Sequence, residues 1–145
     1  MPVDLRNAQS KKLPIKQLNV FSEAVLKELK LAGHQVNIVF VANSEIQKHN
    51  KHYLNHDGPT DVLAFQLKDR FKGEEYPFLG DVMISIDMAE AQAQRFKTSV
   101  LDELKLYIVH GILHLNGYRD EPESEKVAME MKEKEILNKV RSRGH

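Results

Sequence analysis

Apolar residues along the chain follow two periods, one typical of helices and one typical of strands. Over residues 16–32 they recur every three or four positions and Gly33 follows, so we predict a first helix that stops there. Polar residues dominate the connection at 70–77. Short runs rich in β-branched and aromatic residues predict strands over residues 3–7, 36–41, 61–67 and 79–86.

Side chains that can cap a helix predict where the other helices begin. The pairs are Ser44 with Gln47, Asp87 with Glu90, and Ser99 with Asp102. They predict a short helix to residue 54 followed by a loop at 55–59, a helix through residue 96, and a long helix with two histidines. A last helix is expected from Pro122 to about residue 140, because proline suits a first helical position. Its inward side chains are predicted to be Val127, Met131 and Leu137.

The order of these elements predicts an α+β fold, in which helices cover a small mixed sheet and the histidine helix is central to the packing. We expect residues 1–145 to form one domain, since 41% of the residues are hydrophobic and the length is near that of a usual domain. The first ten residues are polar and no apolar run is long enough to span a bilayer. A cytoplasmic protein without a membrane partner is therefore expected.

Charge and cysteine content narrow the classes of function. Lys and Arg together number 21, as do Asp and Glu, so the formal net charge is zero. This balance argues against a surface that is basic throughout and binds nucleic acid indiscriminately, although a local basic groove stays possible. The chain has no cysteine, which excludes disulfides and a thiolate zinc site.

The residues from His110 to Asp120, H-G-I-L-H-L-N-G-Y-R-D, are typical of a metal site. Side chains around His110 and His114 are apolar, which predicts a helix buried nearly all round. Four positions apart, the two imidazoles lie one turn from each other on one face. On the opposite face we expect Leu101, Leu104, Ile108, Ile112 and Leu115.

A third ligand is expected from the turn after the helix. Gly117 can adopt the left-handed conformation that ends a helix, and the chain can then return to bring Asp120 near the histidines. Two histidines and a carboxylate with an open fourth position recur in catalytic zinc sites. The plain alternative is that both histidines are core residues hydrogen-bonded to neighbours, but the spaced pair favours the metal.

Three blocks in order along the chain resemble one protein family. H-G-x-L-H-L-x-G-Y at 110–118 is similar to the signature of the YbeY family of bacterial rRNA-maturation endoribonucleases. P-T-D-V-L-A-F at 59–65 and L-G-D-V-M-I-S at 79–85 resemble two further blocks of that family. The resemblance implies a metal-bound fold related to metzincin-type hydrolases, with a role in processing small-subunit ribosomal RNA and in ribosome quality control. The implied partners are ribosomal RNA and the small ribosomal subunit.

Two departures from the family pattern bear on the expected chemistry. Asp120 stands where the family usually has a histidine as third ligand, which makes the expected site harder, so another divalent metal could replace zinc. Leu54 follows Tyr53 where the family tends to have an arginine, so the chain lacks a guanidinium that could bind a phosphate.

The chemistry expected from such a site is hydrolysis by a water molecule that the metal activates, with no protein base assigned. In the peptidase motif H-E-x-x-H a glutamate follows the first histidine and acts as the base, but here that residue is Gly111. We therefore rank a zinc-dependent endoribonuclease specific for single strands first. A ribosome-assembly factor with a structural metal comes second, and a peptidase a distant third.

Further residues are candidates for RNA or pocket contacts. Lys48, His49, Lys51 and His52 form a basic stretch that could contact phosphates, although a solvated helix face is the plainer interpretation. Thr60 and Asp61 belong to the second family block and are expected at the mouth of the site. Asp61 could equally cap a turn.

Overall fold

A computed structural model describes residues 3–42, 62–65, 78–119 and 122–142 of the chain. Within these ranges the strands are β1 (Val3–Asn7), β2 (Gln35–Val41), β3 (Val62–Phe65) and β4 (Phe78–Ser85). The helices are α1 (Ile15–Glu28), α2 (Ile86–Phe96), α3 (Val100–Leu115) and α4 (Glu123–Ser142). The α+β class is confirmed, and the predicted strands all form within two residues of their expected ends.

The strands form one mixed sheet in the order β1-β2-β4-β3. β1, β2 and β4 are parallel, whereas β3 runs antiparallel to β4. Alternate residues of the central strands point to the helices, as the period of two requires. On this face Val36, Ile38 and Phe40 of β2 lie beside Gly80, Val82 and Ile84 of β4 and are almost fully buried.

Helix α3 is central to the packing, as predicted. It contacts β3, β4 and each of the other three described helices. Leu104, Ile108 and Ile112 are buried on its predicted core face, while Leu101 and Leu115 are partly buried. Tyr107, Val109 and Leu113 are buried as well, so most of the surface of the helix is enclosed.

The starts of α2 and α3 differ in how well the sequence predicted them. Ser99 Oγ accepts a hydrogen bond from the backbone N–H of Asp102 at 3.0 Å, which confirms the predicted cap. The cap predicted at Asp87 is wrong, because α2 begins at Ile86 and its N-cap is Ser85, whose hydroxyl accepts from the N–H of Met88. Strand β4 passes into α2 without a loop, so the last strand residue is also the cap.

Helix α1 is shorter than its apolar pattern predicts. It ends at Glu28, and Lys30 adopts a left-handed conformation with φ of 60°. Gly33, with φ of 92°, lies in the turn that leads into β2 rather than directly after the helix.

The inward face of α4 was predicted incorrectly. Val127 and Met131 are 45% and 67% exposed, and only Leu137 of the predicted set packs against the core. The buried positions are Met129, Glu133, Ile136 and Val140. This stripe contains a glutamate, which does not contribute to a pattern of apolar residues. The sequence therefore predicted that the wrong face of the helix is buried.

Several predictions lie outside the described residues: the helix at 44–54, the loop at 55–59 and the connection at 70–77. None of the helices in the described ranges is long and apolar enough to cross a membrane.

Candidate metal centre

His110 and His114 converge at the C-terminal end of α3. Their Nε2 atoms lie 3.1 Å apart, and the rings meet edge to face with centroids 4.6 Å apart. Both residues are partly buried, with 28% of the His110 side chain exposed. One helical turn between the residues produces this arrangement, as their spacing predicted.

The Nδ1 atom of His110 donates to a carboxylate from α4. Its partner is Glu133 Oε1 at 2.9 Å, and Glu133 is only 7% exposed. The glutamate occupies a position in the buried stripe of α4 that otherwise carries apolar side chains. The sequence did not predict a role for Glu133, and its only signal is a charged residue four positions after Met129 and three before Ile136.

The Nδ1 atom of His114 donates to the backbone carbonyl of Tyr118 at 3.1 Å. That carbonyl is positioned by the turn that ends α3. The N–H of Tyr118 donates to the carbonyl of Leu113 and the N–H of Gly117 donates to that of His114, which together form a Schellman motif. Gly117 has φ of 100°, so the predicted left-handed ending of the helix is confirmed.

These two hydrogen bonds determine where the imidazole protons lie. A carboxylate and a carbonyl only accept, so Nδ1 carries the proton in both neutral rings. In these tautomers both Nε2 atoms are acceptors, and they lie 3.1 Å apart. Two nitrogen ligands of a tetrahedral zinc, each about 2.0–2.1 Å from the ion, lie about 3.3 Å apart. The residues present thus fit a shared cation.

Gly111 allows α3 to approach the sheet closely. A Cβ atom built at this position would lie 2.5 Å from Val82 Cγ1 of β4 and 3.3 Å from Val62 Cγ1 of β3. A side chain at residue 111 would therefore point into the sheet and away from the histidine pair. The peptidase base of the H-E-x-x-H motif has no room at this position.

A surface cavity of about 280 Å³ lies between the end of α3 and the start of α4. It includes Tyr118, whose carbonyl accepts from His114. The other lining residues are Asn116, Gly117, Arg119, Glu125 and Ala128.

The remaining predicted site residues fall outside the described ranges. The third predicted ligand, Asp120, directly follows Arg119, the last described residue of this segment. In the same way, Lys48, His49, Lys51, His52, Thr60 and Asp61 are not described. Among the described residues, no group of three or more His, Asp or Glu side chains is arranged to hold a metal ion. The ligand set therefore stays a prediction.

Comparison with known proteins establishes the family. A family model described as Endoribonuclease YbeY matches residues 4–141. The chain belongs to the endoribonuclease YbeY family. It is 44% identical to the Endoribonuclease YbeY of Bacillus licheniformis over 114 residues, covering 74% of this chain and 72% of the relative. With that of Pelotomaculum thermopropionicum it shares 37% identity over 148 residues, covering 97% of each.

The fold also matches a solved structure. A solution structure of a Thermotoga maritima protein superposes with a TM-score of 0.60, covering 98% of this chain and 93% of the other at 23% identity. At this identity the likeness concerns the fold alone. The family predicted from the three sequence blocks is confirmed, and the relatives' shared name agrees with the prediction of a nuclease.

Proposed function

We propose that the chain is a metal-dependent endoribonuclease that cuts single-stranded RNA during maturation and quality control of the small ribosomal subunit in the cytoplasm. The observation that carries the proposal is the pair of Nε2 atoms 3.1 Å apart, each on a ring whose Nδ1 donates to a fixed acceptor. Membership in a family named for endoribonuclease activity supports the substrate class.

His110, His114 and Asp120 would hold the ion, and zinc suits a donor set of nitrogen and oxygen atoms. Because Asp120 provides a harder ligand than the histidine usual in the family, another divalent ion is the alternative. When bound, the ion supplies a Lewis acid for a phosphoryl oxygen and lowers the pKa of a water molecule toward about 7.

Residues of this chain orient the two histidines and leave room for a substrate. Glu133 and the Tyr118 carbonyl hold both imidazoles in the tautomer whose Nε2 accepts. The cavity at Tyr118 and Arg119 offers room for a segment of substrate, and the Tyr118 carbonyl that accepts from His114 belongs to one of its lining residues. A metzincin-like arrangement without a glutamate at position 111 suits a nuclease better than a peptidase, because Val82 blocks a side chain there.

A structural metal in a ribosome-assembly factor is the second candidate. Structural zinc sites are closed, with four protein ligands, whereas catalytic sites keep an open position. Here 28% of the His110 side chain is exposed, which favours an open catalytic site.

A nuclease assay on the purified protein separates these functions. We expect cleavage of a single-stranded ribosomal RNA fragment but not of a duplex, loss of cleavage with a chelator, and recovery when zinc is returned. His114→Ala should be folded and inactive. If the chelator lowers thermal stability while the metal-loaded protein never cuts RNA, the structural role is correct and the proposed activity is wrong.

A further inference from the structure

We propose that Glu133 is a positioning residue for the metal centre, which fixes the tautomer and orientation of His110 and strengthens its Nε2 as a ligand. This inference rests on the metal-dependent function proposed above. It assigns a role to a residue on α4, a helix that carries none of the predicted ligands.

The position of Glu133 is difficult to explain by packing. Met129, Ile136 and Val140 are at most 1% exposed and form the rest of its stripe, so an apolar residue would suit residue 133. Burial of a carboxylate costs free energy unless the group is paired and hydrogen-bonded. An apolar replacement of a buried ion pair is often neutral or stabilising. A carboxylate at residue 133 is explained if the metal centre needs an acceptor for His110.

The hydrogen bond from His110 has a direct chemical effect on that histidine. With Nδ1 donating at 2.9 Å to a carboxylate, the ring cannot rotate or change tautomer without breaking a charge-assisted hydrogen bond. The carboxylate also makes the imidazole more basic, so Nε2 binds a cation more strongly. The corresponding hydrogen bond of His114 is weaker, because its acceptor is the neutral carbonyl of Tyr118.

Charge balance gives a further argument. Two neutral imidazoles and the Asp120 carboxylate would leave a divalent ion with one uncompensated positive charge. Glu133, one hydrogen bond away from the ion's ligand, would balance that charge in a partly buried site. The same contact between Glu133 and His110 joins α4 to α3.

The test compares two substitutions at residue 133 with a matched control. Glu133→Gln keeps the shape and an accepting oxygen but removes the charge, whereas Glu133→Leu removes the acceptor and fills the apolar stripe. Glu135→Gln is the control, since Glu135 lies on the exposed side of α4. A hydrogen bond from Lys139 lowers the pKa of the Glu135 carboxyl, which is therefore negatively charged at neutral pH. The Glu135→Gln substitution thus removes a negative charge from the same helix, as Glu133→Gln does.

Zinc affinity is measured by competition with a chromogenic chelator, and thermal unfolding of the metal-free proteins is measured in parallel. We expect affinity to fall about 10-fold in Glu133→Gln and up to about 100-fold in Glu133→Leu, the range typical of groups that orient ligands. Glu135→Gln should equal the wild type. A merely structural role would lower the stability of the metal-free protein and leave the zinc affinity of the folded fraction unchanged.

Nitrogen NMR of the metal-free protein reports the tautomer independently of the metal. We expect the proton of His110 on Nδ1 in the wild type and a mixture of tautomers in Glu133→Leu.

Equal zinc affinity in the wild type and both Glu133 variants would overturn the inference while the proposed function stands. If the wild type binds neither zinc nor another divalent ion, the proposed function fails, and the role of Glu133 toward a metal fails with it. Should Glu133→Leu not fold, Glu133→Gln decides alone.

Discussion

His110 and His114 are supported by acceptors that lie outside the helix carrying them. Their spacing alone predicted that they converge, because four residues make about one helical turn. Gly117 likewise indicated the turn after the helix. The acceptors could not be predicted, since Glu133 reaches His110 only through the packing of α4 on α3, and the Tyr118 carbonyl depends on the backbone direction after the turn.

Asp120 can be tested directly as the third ligand. Asp120→His should keep or tighten zinc binding, because it provides the nitrogen ligand usual in the family, and Asp120→Ala should weaken it. A competition titration with a chromogenic chelator on the wild type and both variants measures this. Equal affinity in all three proteins would remove Asp120 from the ligand set and leave Glu121 or water as the alternative.

Helix α3 approaches strand β4 so closely that residue 111 has no room for a side chain. Gly111→Ala should destabilise the protein by about 1–3 kcal/mol, because its Cβ would meet Val82 Cγ1 at 2.5 Å. Alanine's higher helix propensity offsets only about 1 kcal/mol of this cost.

Urea unfolding of the metal-free proteins measures the effect, with Val82→Ala as the partner in a double-mutant cycle. The two substitutions together should cost less than their sum, since the smaller residue at position 82 relieves the overlap. Strict additivity, or a more stable Gly111→Ala protein, would show that α3 does not approach the sheet this closely.

The orientation of α4 is a second property of an element that can be tested. Met129→Ala should cost about 2–5 kcal/mol, because the side chain is 1% exposed and its loss leaves a cavity. Met131→Ala should change the stability by less than about 0.5 kcal/mol, because that side chain is 67% exposed. Similar losses in the two variants, measured by urea unfolding, would contradict the orientation of the helix.

The sequence predicted the wrong face of α4 for a physical reason. Polar residues dominate this helix and its apolar positions do not form one clear stripe, so Val127 and Met131 suggested a face that is exposed. The buried face became evident only from the contacts of Met129 and Ile136 with the rest of the core. Helix α3, in which most residues are apolar, was predicted correctly.

For the whole molecule, the order of helices and strands could be predicted but the pairing of the strands could not. Local periodicity determines whether a segment becomes a helix or a strand, whereas β3 pairs with β4 through contacts about twenty residues apart. The prediction of a mixed sheet is confirmed, and the order β1-β2-β4-β3 had to come from the structure.

The net charge of zero limits where the whole protein can bind RNA. Binding should be local and sensitive to salt, because only basic clusters such as the stretch containing Lys48 and Lys51 could contact phosphates. Titration of a single-stranded ribosomal RNA fragment at several salt concentrations should show affinity falling steeply. Binding that is unchanged in high salt, or absent at low salt, would count against an electrostatic interface.

Metal analysis of the purified protein is a direct test for a cation site at His110 and His114. Elemental analysis of protein prepared without chelators should find about one divalent ion per chain, most of it zinc, as expected for a single site of this type. His114→Ala should lose that ion and become less stable to heat than the metal-loaded wild type, because bound metal stabilises the folded state. A wild type without stoichiometric metal, together with a His114→Ala variant that is unchanged in metal content and stability, would show that these histidines do not bind a metal ion.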